Sequence, residues 1–144
     1  MTETQRREHD IIEEFDLFDD WMGRYEHLID QAAKLPAIDP VYKTDAYKIK
    51  GCQSQVWLHA ERQDGRVIFT ADSDAAITKG LIALLIRVLS GLSPDEILAA
   101  DLAFLDAIEM KEHLSPTRKN GLNAMIKQMK LYAAALSGAA PTSS

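Results

Sequence analysis

The chain has 144 residues, 47% of them hydrophobic and 26% charged, with a formal net charge of −6 and an isoelectric point near 5.1. A length of this order suits one domain, here the whole of 1–144, that buries a core without disulfide staples. The acidic balance argues against nucleic acid or an anionic membrane as main partner, since both call for a basic face, and no apolar run approaches the ~18 residues that a bilayer span needs. The charged N-terminus, Met1 to Glu8, is not followed by an apolar signal core, so the expected location is the cytoplasm, where a thiol stays reduced.

Ile11, Phe15, Phe18, Met22, Tyr25 and Ile29 follow steps of four and three and predict one amphipathic helical face. Asp19 or Asp20 is placed to cap a second helix within this stretch, and Leu35-Pro36 ends the pattern. Residues 36–44 read as an extended loop. The period then changes. Tyr47 and Ile49 predict a strand entering a turn, and Gln55 to Glu61 a second strand. Asp64-Gly65 is a hairpin signal, and Arg66 to Ala71 the returning strand. Ser73 is the expected cap of a helix that runs to about Leu89 and is ended by Gly91, with Asp72 and Asp74 as favourable acids at its start. Ser93-Pro94-Asp95-Glu96 is a capping box with proline at the first helical position. Leu102 to Met110 predicts a further short helix. Ser115-Pro116 opens the last long one, with Leu122, Met125, Met129, Tyr132 and Leu136 on one face. The expected core spans about 11–136, with a tail of small residues at 137–144. Helices, then a strand meander, then helices make an α+β fold: a small curved antiparallel sheet with helices packed against it.

Cys52 is the only cysteine. Alone it forms no internal disulfide and no thiolate metal site, and the four histidines (His9, His27, His59, His113) show no ligand spacing, so no metal is expected. The default role of a lone cysteine is that of a small buried hydrophobe. Its surroundings point elsewhere. Gly51 permits a sharp turn, and Gln53, Ser54 and Gln55 are polar, so the thiol sits in a loop where a strand ends, beside groups able to hydrogen-bond a thiolate. A thiol reacts only as its thiolate and needs donors or cations to ionise near neutral pH. Arg118, in the first turn of the last helix, stands against the macrodipole and is the leading cation. Lys79 is the second, with a solvated side chain as its ordinary role. Val56 and Trp57 are the apolar neighbours able to cover a reactive sulfur.

Gly51-Cys52-Gln53-Ser54-Gln55-Val56-Trp57 resembles the signature of SufE proteins, sulfur acceptors that activate cysteine desulfurases. Further segments agree in order: Phe18-Asp19-Asp20-Trp21 with Arg24-Tyr25, Ala71 to Ala75 followed by Lys79-Gly80, Leu92-Ser93-Pro94, and His113 to Leu122. The resemblance implies a fold similar to iron–sulfur scaffolds of the IscU type. It implies that Cys52 takes the outer sulfur from a persulfide on a pyridoxal-phosphate desulfurase of the SufS type and passes it to a downstream iron–sulfur scaffold complex, with no cofactor of its own. By the same resemblance Asp74 is the acid beside the cysteine loop and Arg118 the arginine near the partner's active site. Arg24, Lys79, His113 and Arg118 are the remaining candidates for partner contact or loop support. Two positions depart from the pattern: Tyr47, where asparagine is common, and Ile108-Glu109, where Leu-Gly is common. The alternatives left open are a CsdE-type acceptor for a paralogous desulfurase, a scaffold that binds a cluster directly, and a cysteine hydrolase using His59 or His113. One thiolate is few for a cluster.

Overall fold

The computed structural model describes residues 1–137; the predicted tail at 138–144 lies outside the described residues. Two helices open the chain. Helix α1 (Glu3–Phe15) starts at a Thr2 capping box, and α2 (Trp21–Lys34) starts at Asp20, whose carboxylate accepts from the Gly23 amide. The predicted single face holds for Ile11 and Phe15, which are fully buried, and fails for Met22 and Ile29, which are 73% and 43% exposed. The break at 16–20 resets the helical phase, so a count carried across it selects the wrong side of α2. The side of α2 that is buried carries Leu28, Gln31 and Ala32.

Strands β1 (Val56–Gln63) and β2 (Arg66–Ser73) form one antiparallel hairpin, in register from Val56 opposite Ser73 to Gln63 opposite Arg66. Asp64 and Gly65 have φ of 52° and 78°, the left-handed pair that a tight hairpin turn requires. Alternation puts Val56, Leu58, Val67, Phe69 and Ala71 in the core and Trp57 and His59 on the outer side. The predicted strand at Tyr47–Ile49 reduces to one bridge, between Lys48 and Trp57, with the Ile49 amide donating to the Val56 carbonyl at 2.8 Å. Tyr47 itself ends a short 3₁₀ turn, so too few extended residues remain for a ladder. On the other edge, Val67 bridges Leu92. Each edge of the hairpin is thus met by a single bridge and not by a further ladder.

Helix α3 (Ala76–Leu89) is the centre of the fold. Nine of its residues are buried, and it packs against α1, α2, β2 and α6. Gly80 is the reason α2 comes so close: a Cβ there would stand 2.8 Å from Leu28 Cγ and nearer still to the Leu28 carbonyl. Ser73 does not cap α3. It ends β2, and its hydroxyl accepts from the Ala75 amide at 3.3 Å, while the helix begins at Ala76 without a side-chain cap. Helix α4 (Pro94–Ala99) has the predicted Ser93–Glu96 capping box. The helix predicted at 102–110 shrinks to α5 (Phe104–Ala107), because Leu102 and Glu109 both take left-handed φ, 56° and 57°. Glu109 is the position where glycine is common in the resembling pattern, and its backbone is the one that favours glycine. Helix α6 (Pro116–Leu136) starts at the Ser115 cap and buries Leu122, Met125 and Met129. The fold class is α+β, and among the described residues no helix is long and apolar enough to cross a membrane.

Candidate functional site

The cysteine loop is the turn between Ile49 and β1. Gly51, at φ 91°, makes the turn that aims the loop at α6, and a Cβ there would already touch Ala124 at 3.4 Å. From the other side Asp74 clasps the loop: its Oδ1 accepts from the Gln55 amide at 3.0 Å, and its own amide donates to the Gln55 carbonyl at 3.2 Å. Asp74 therefore holds the loop and does not serve the start of α3. Held between these anchors, Cys52 is half-buried and its thiol donates to the Gly121 carbonyl, with Sγ 3.6 Å from the oxygen.

Cys52, Gln53 and Ser54 line one wall of a cleft of about 350 Å³. The first turns of α6 supply the opposite wall through Ser115, Thr117 and Arg118, and Leu81, Leu122 and Met125 form its apolar floor. Burial pushes the Cys52 thiol above the ordinary thiol range. Among the described residues no donor meets the sulfur; its hydrogen-bond partner is the Gly121 carbonyl, an acceptor. The resting sulfur is thus a protonated thiol that faces a polar-rimmed cleft.

The structure brings Cys52, Gln53, Ser54 and Arg118 to that cleft and puts Gly51, Gln55 and Asp74 in charge of the loop's shape. It does not bring the other candidates there. Val56 is in the core, and Trp57 lies on the outer side of the hairpin under the Lys43 ammonium, 4.9 Å from the ring centroid, so the apolar cover comes from Leu81, Leu122 and Met125 instead. Lys79 turns to Asp72 at 3.2 Å, sharing that carboxylate with Lys43 at 3.0 Å. Burial pushes the Asp72 carboxyl up, but Lys43, the Ser73 amide and Lys79 together hold it below its usual range. The His113 ring stacks on Trp21 at 3.6 Å, and its Nδ1 lies 3.1 Å from the Glu109 carbonyl oxygen. His59 stacks on Tyr42 at 3.6 Å with Tyr47 against its edge, which gives the tyrosine that replaces asparagine a packing role. Neither histidine lines the Cys52 cleft. Arg24 is consumed internally, donating to the Phe18 and Ile108 carbonyls at 3.2 and 3.1 Å. Sequence reasoning missed Thr78, Leu81, Thr117, Gly121 and Met125 as cleft residues. Their signal was helical phase: Thr78 and Leu81 are one turn apart on α3, as are Gly121 and Met125 on α6.

The SufE family, described as the Fe-S metabolism associated domain, matches residues 9–133. An uncharacterised SufE-like protein of Synechocystis is 40% identical over 125 residues, covering 87% of this chain and 79% of the relative. One of Rhizobium meliloti is 39% identical over 125 residues, covering 83% and 89%. A SufE-like protein of Arabidopsis thaliana, named as chloroplastic/mitochondrial, is 38% identical over 122 residues, covering 84% of this chain and 33% of the relative. The solution structure of a hypothetical protein from Thermus thermophilus superposes with a TM-score of 0.74 at 24% identity, over 90% of this chain and 94% of that one, a likeness of fold. With the family match spanning nearly all of the core and the lone cysteine set in the signature loop, the chain belongs to the SufE family and has a role in iron–sulfur metabolism.

Proposed function

We propose that the protein is a sulfur acceptor that takes sulfane sulfur from the persulfide of a SufS-type cysteine desulfurase onto Cys52, stimulates that enzyme, and hands the sulfur to an iron–sulfur scaffold complex. The observation that carries the reading is Cys52 itself: a single half-buried thiol on a clamped loop, opening into a cleft walled by Arg118. In the transfer, the Cys52 thiolate attacks the terminal sulfur of the donor persulfide. The new S–S bond forms on Cys52 as the donor's S–S bond breaks, and the donor cysteine leaves as a thiolate that takes up the proton Cys52 gave up. Oxidation state is exchanged within the pair, so no external oxidant is required.

The resting thiol is not the attacking species. Its proton is held by burial and by the Gly121 carbonyl, and both must be relieved when the partner docks. Gly51 gives the backbone freedom for the loop to turn outward. Residues 50–56 are then expected to lose exchange protection in the presence of desulfurase. The cleft's apolar floor suits the product, because a persulfide shielded from water and thiols survives longer. The functional test is turnover of cysteine by a SufS-type desulfurase with a reductant present. The protein should accelerate alanine release and Cys52→Ser should not. Equal acceleration by Cys52→Ser would overturn the assignment.

A further inference from the structure

Thr78 is the third residue of α3, and only 7% of it is exposed. It forms part of the wall of the Cys52 cleft, one turn before Leu81. A threonine inside a helix often returns its hydroxyl to the carbonyl one turn back. Here it does not. The hydrogen bonds around the cleft run from Cys52 to the Gly121 carbonyl, from the Gln55 amide to Asp74 and from the Ala75 amide to Ser73, and the Thr78 hydroxyl has no partner among the described residues. No side-chain oxygen or nitrogen sealed from solvent lacks a partner among them, so the Thr78 oxygen keeps an opening, and the cavity it lines is the cleft. Two helix starts meet at this cavity, α3 through Thr78 and α6 through Ser115, Thr117 and Arg118. Neither first turn carries an acid, and α3 starts without a side-chain cap. Both helix ends therefore favour an anion in the cleft, as does Arg118, the one charged lining residue among those described. The resting Cys52 sulfur, bonded to a carbonyl, makes no use of these donors.

We propose that Thr78 is a sulfur-binding residue, whose hydroxyl donates to the outer sulfur of the Cys52 persulfide, held in the cleft as an anion. The inference rests on the sulfur-acceptor reading and names the group that receives the cargo. A persulfide extends Cys52 by one S–S bond of about 2.05 Å and carries the outer sulfur past Sγ into the cavity. The outer S–H is more acidic than a thiol, because the neighbouring sulfur draws charge from it. Once its proton has gone to solvent, the outer sulfur only accepts, and a charge-assisted bond from a half-desolvated hydroxyl is a strong one. The other charged groups near the loop are already engaged: Asp74 with the Gln55 amide, and Lys79 with Asp72. The cleft thus answers the second sulfur and not the first. The empty cysteine stays a protonated thiol, and the loaded one is held as the anion.

The test loads the intact protein with a SufS-type desulfurase and cysteine, removes both, and follows alkylation of the loaded sulfur by iodoacetamide against pH. Intact mass separates alkylated persulfide from alkylated thiol. Thr78→Val removes the donor at nearly constant shape, and Thr78→Ser keeps it. A hydrogen bond to the anion lowers the pH at which the outer sulfur ionises, so its loss raises that pH. The midpoint of loaded Thr78→Val is expected about one pH unit above wild type, a roughly tenfold weaker ionisation, with Thr78→Ser close to wild type. The empty Cys52 thiol is the internal control, and its midpoint should not move in either variant. A Thr78→Val chain that keeps the empty-thiol midpoint yet retains no sulfur would be the same result in a stronger form. An unmoved midpoint for loaded Thr78→Val would overturn the role of Thr78 and leave the acceptor reading intact. So would an equal shift of the empty and loaded forms, which marks a packing change, or a shift in Thr78→Ser as large as in Thr78→Val. No sulfur on the wild type would overturn both readings.

Discussion

Arg87 and Arg118 carry the same guanidinium and are treated in opposite ways. Arg87 lies in the seam of α1, α2 and α3. It donates to Glu14 at 2.6 and 2.8 Å and to Gln31 at 2.9 Å, and His27 approaches the same carboxylate at 3.0 Å. Arg118 stands at the cleft rim, exposed, without an ion-pair partner among the described residues. In the seam every polar group is answered from within the chain, and Arg87 and Glu14 shift each other's titration outward, Glu14 downward through its hydrogen bonds to Arg87. At the cleft the sulfur has one weak acceptor, and Arg118 has no ion-pair partner among the described residues. A self-satisfied seam supports a fold, whereas the cleft beside Arg118 is where the proposed sulfur transfer would take place.

If that contrast is right, substitutions in the scaffold change stability and spare sulfur transfer, and substitutions at the rim do the reverse. The largest effect should come from Gly80→Ala. Its methyl would press on the Leu28 backbone, which cannot yield without separating α2 from α3, so a loss of at least ~3 kcal/mol in denaturant unfolding is expected. Unchanged stability would mean that the helices are not that close.

Arg87→Met comes next. It leaves the buried Gln31 oxygen without a donor, at a cost of about 1–3 kcal/mol. Sulfur acceptance by the folded fraction should be normal. The same pair sets an acid limit. Glu14 has a folded pKa below its ordinary 4.5, so its contribution is complete above that value and is lost as pH falls through the lower folded value. Wild type should therefore lose this contribution below about pH 4.5, and Arg87→Met should show a shallower decline in the same titration.

Smaller effects are expected at the loop. Asp74→Ala removes the acceptor for the Gln55 amide, a contact worth about 0.5–1.5 kcal/mol. Because the loop is exposed, the change should appear as faster hydrogen exchange at residues 51–55 more than as a lower Tm. Glu109→Gly should stabilise by about 0.5 kcal/mol, the relief of a left-handed φ offset by the greater freedom of glycine when unfolded. Alkylation of Cys52 by iodoacetamide should have its pH midpoint above the ~8.5 of a free thiol, since burial favours the protonated form. A midpoint well below that would mean the resting sulfur is already activated.

Much of this was legible in the sequence because it is local. The Asp64-Gly65 turn, the Ser93–Glu96 box and the Ser115-Pro116 start each depend on a few adjacent residues, and each is where the chain said it would be. What was not legible depends on distance. Met22 and Ile29 were misread because a five-residue break carries no phase. Ser73 looked like a cap because nothing in the sequence shows that β2 runs on to it. At the site, Cys52 and its loop stood out by composition. What the sequence did not show is that Arg24 and His113 make tertiary contacts, to Ile108 and to Trp21, away from the cleft. The Gly121 carbonyl lies 69 positions from Cys52 and had no signal except the fold itself.

The most direct measurement is the intact mass of the protein after incubation with a SufS-type desulfurase, pyridoxal phosphate for that enzyme, and cysteine, alongside the Cys52→Ala variant. A gain of about one or more sulfur atoms on the wild type, reversed by reductant and absent from the variant, is the predicted result, since a persulfide is a reversible cap on a thiolate. Sulfur retained by Cys52→Ala, or none on the wild type while the desulfurase turns over, would contradict the account.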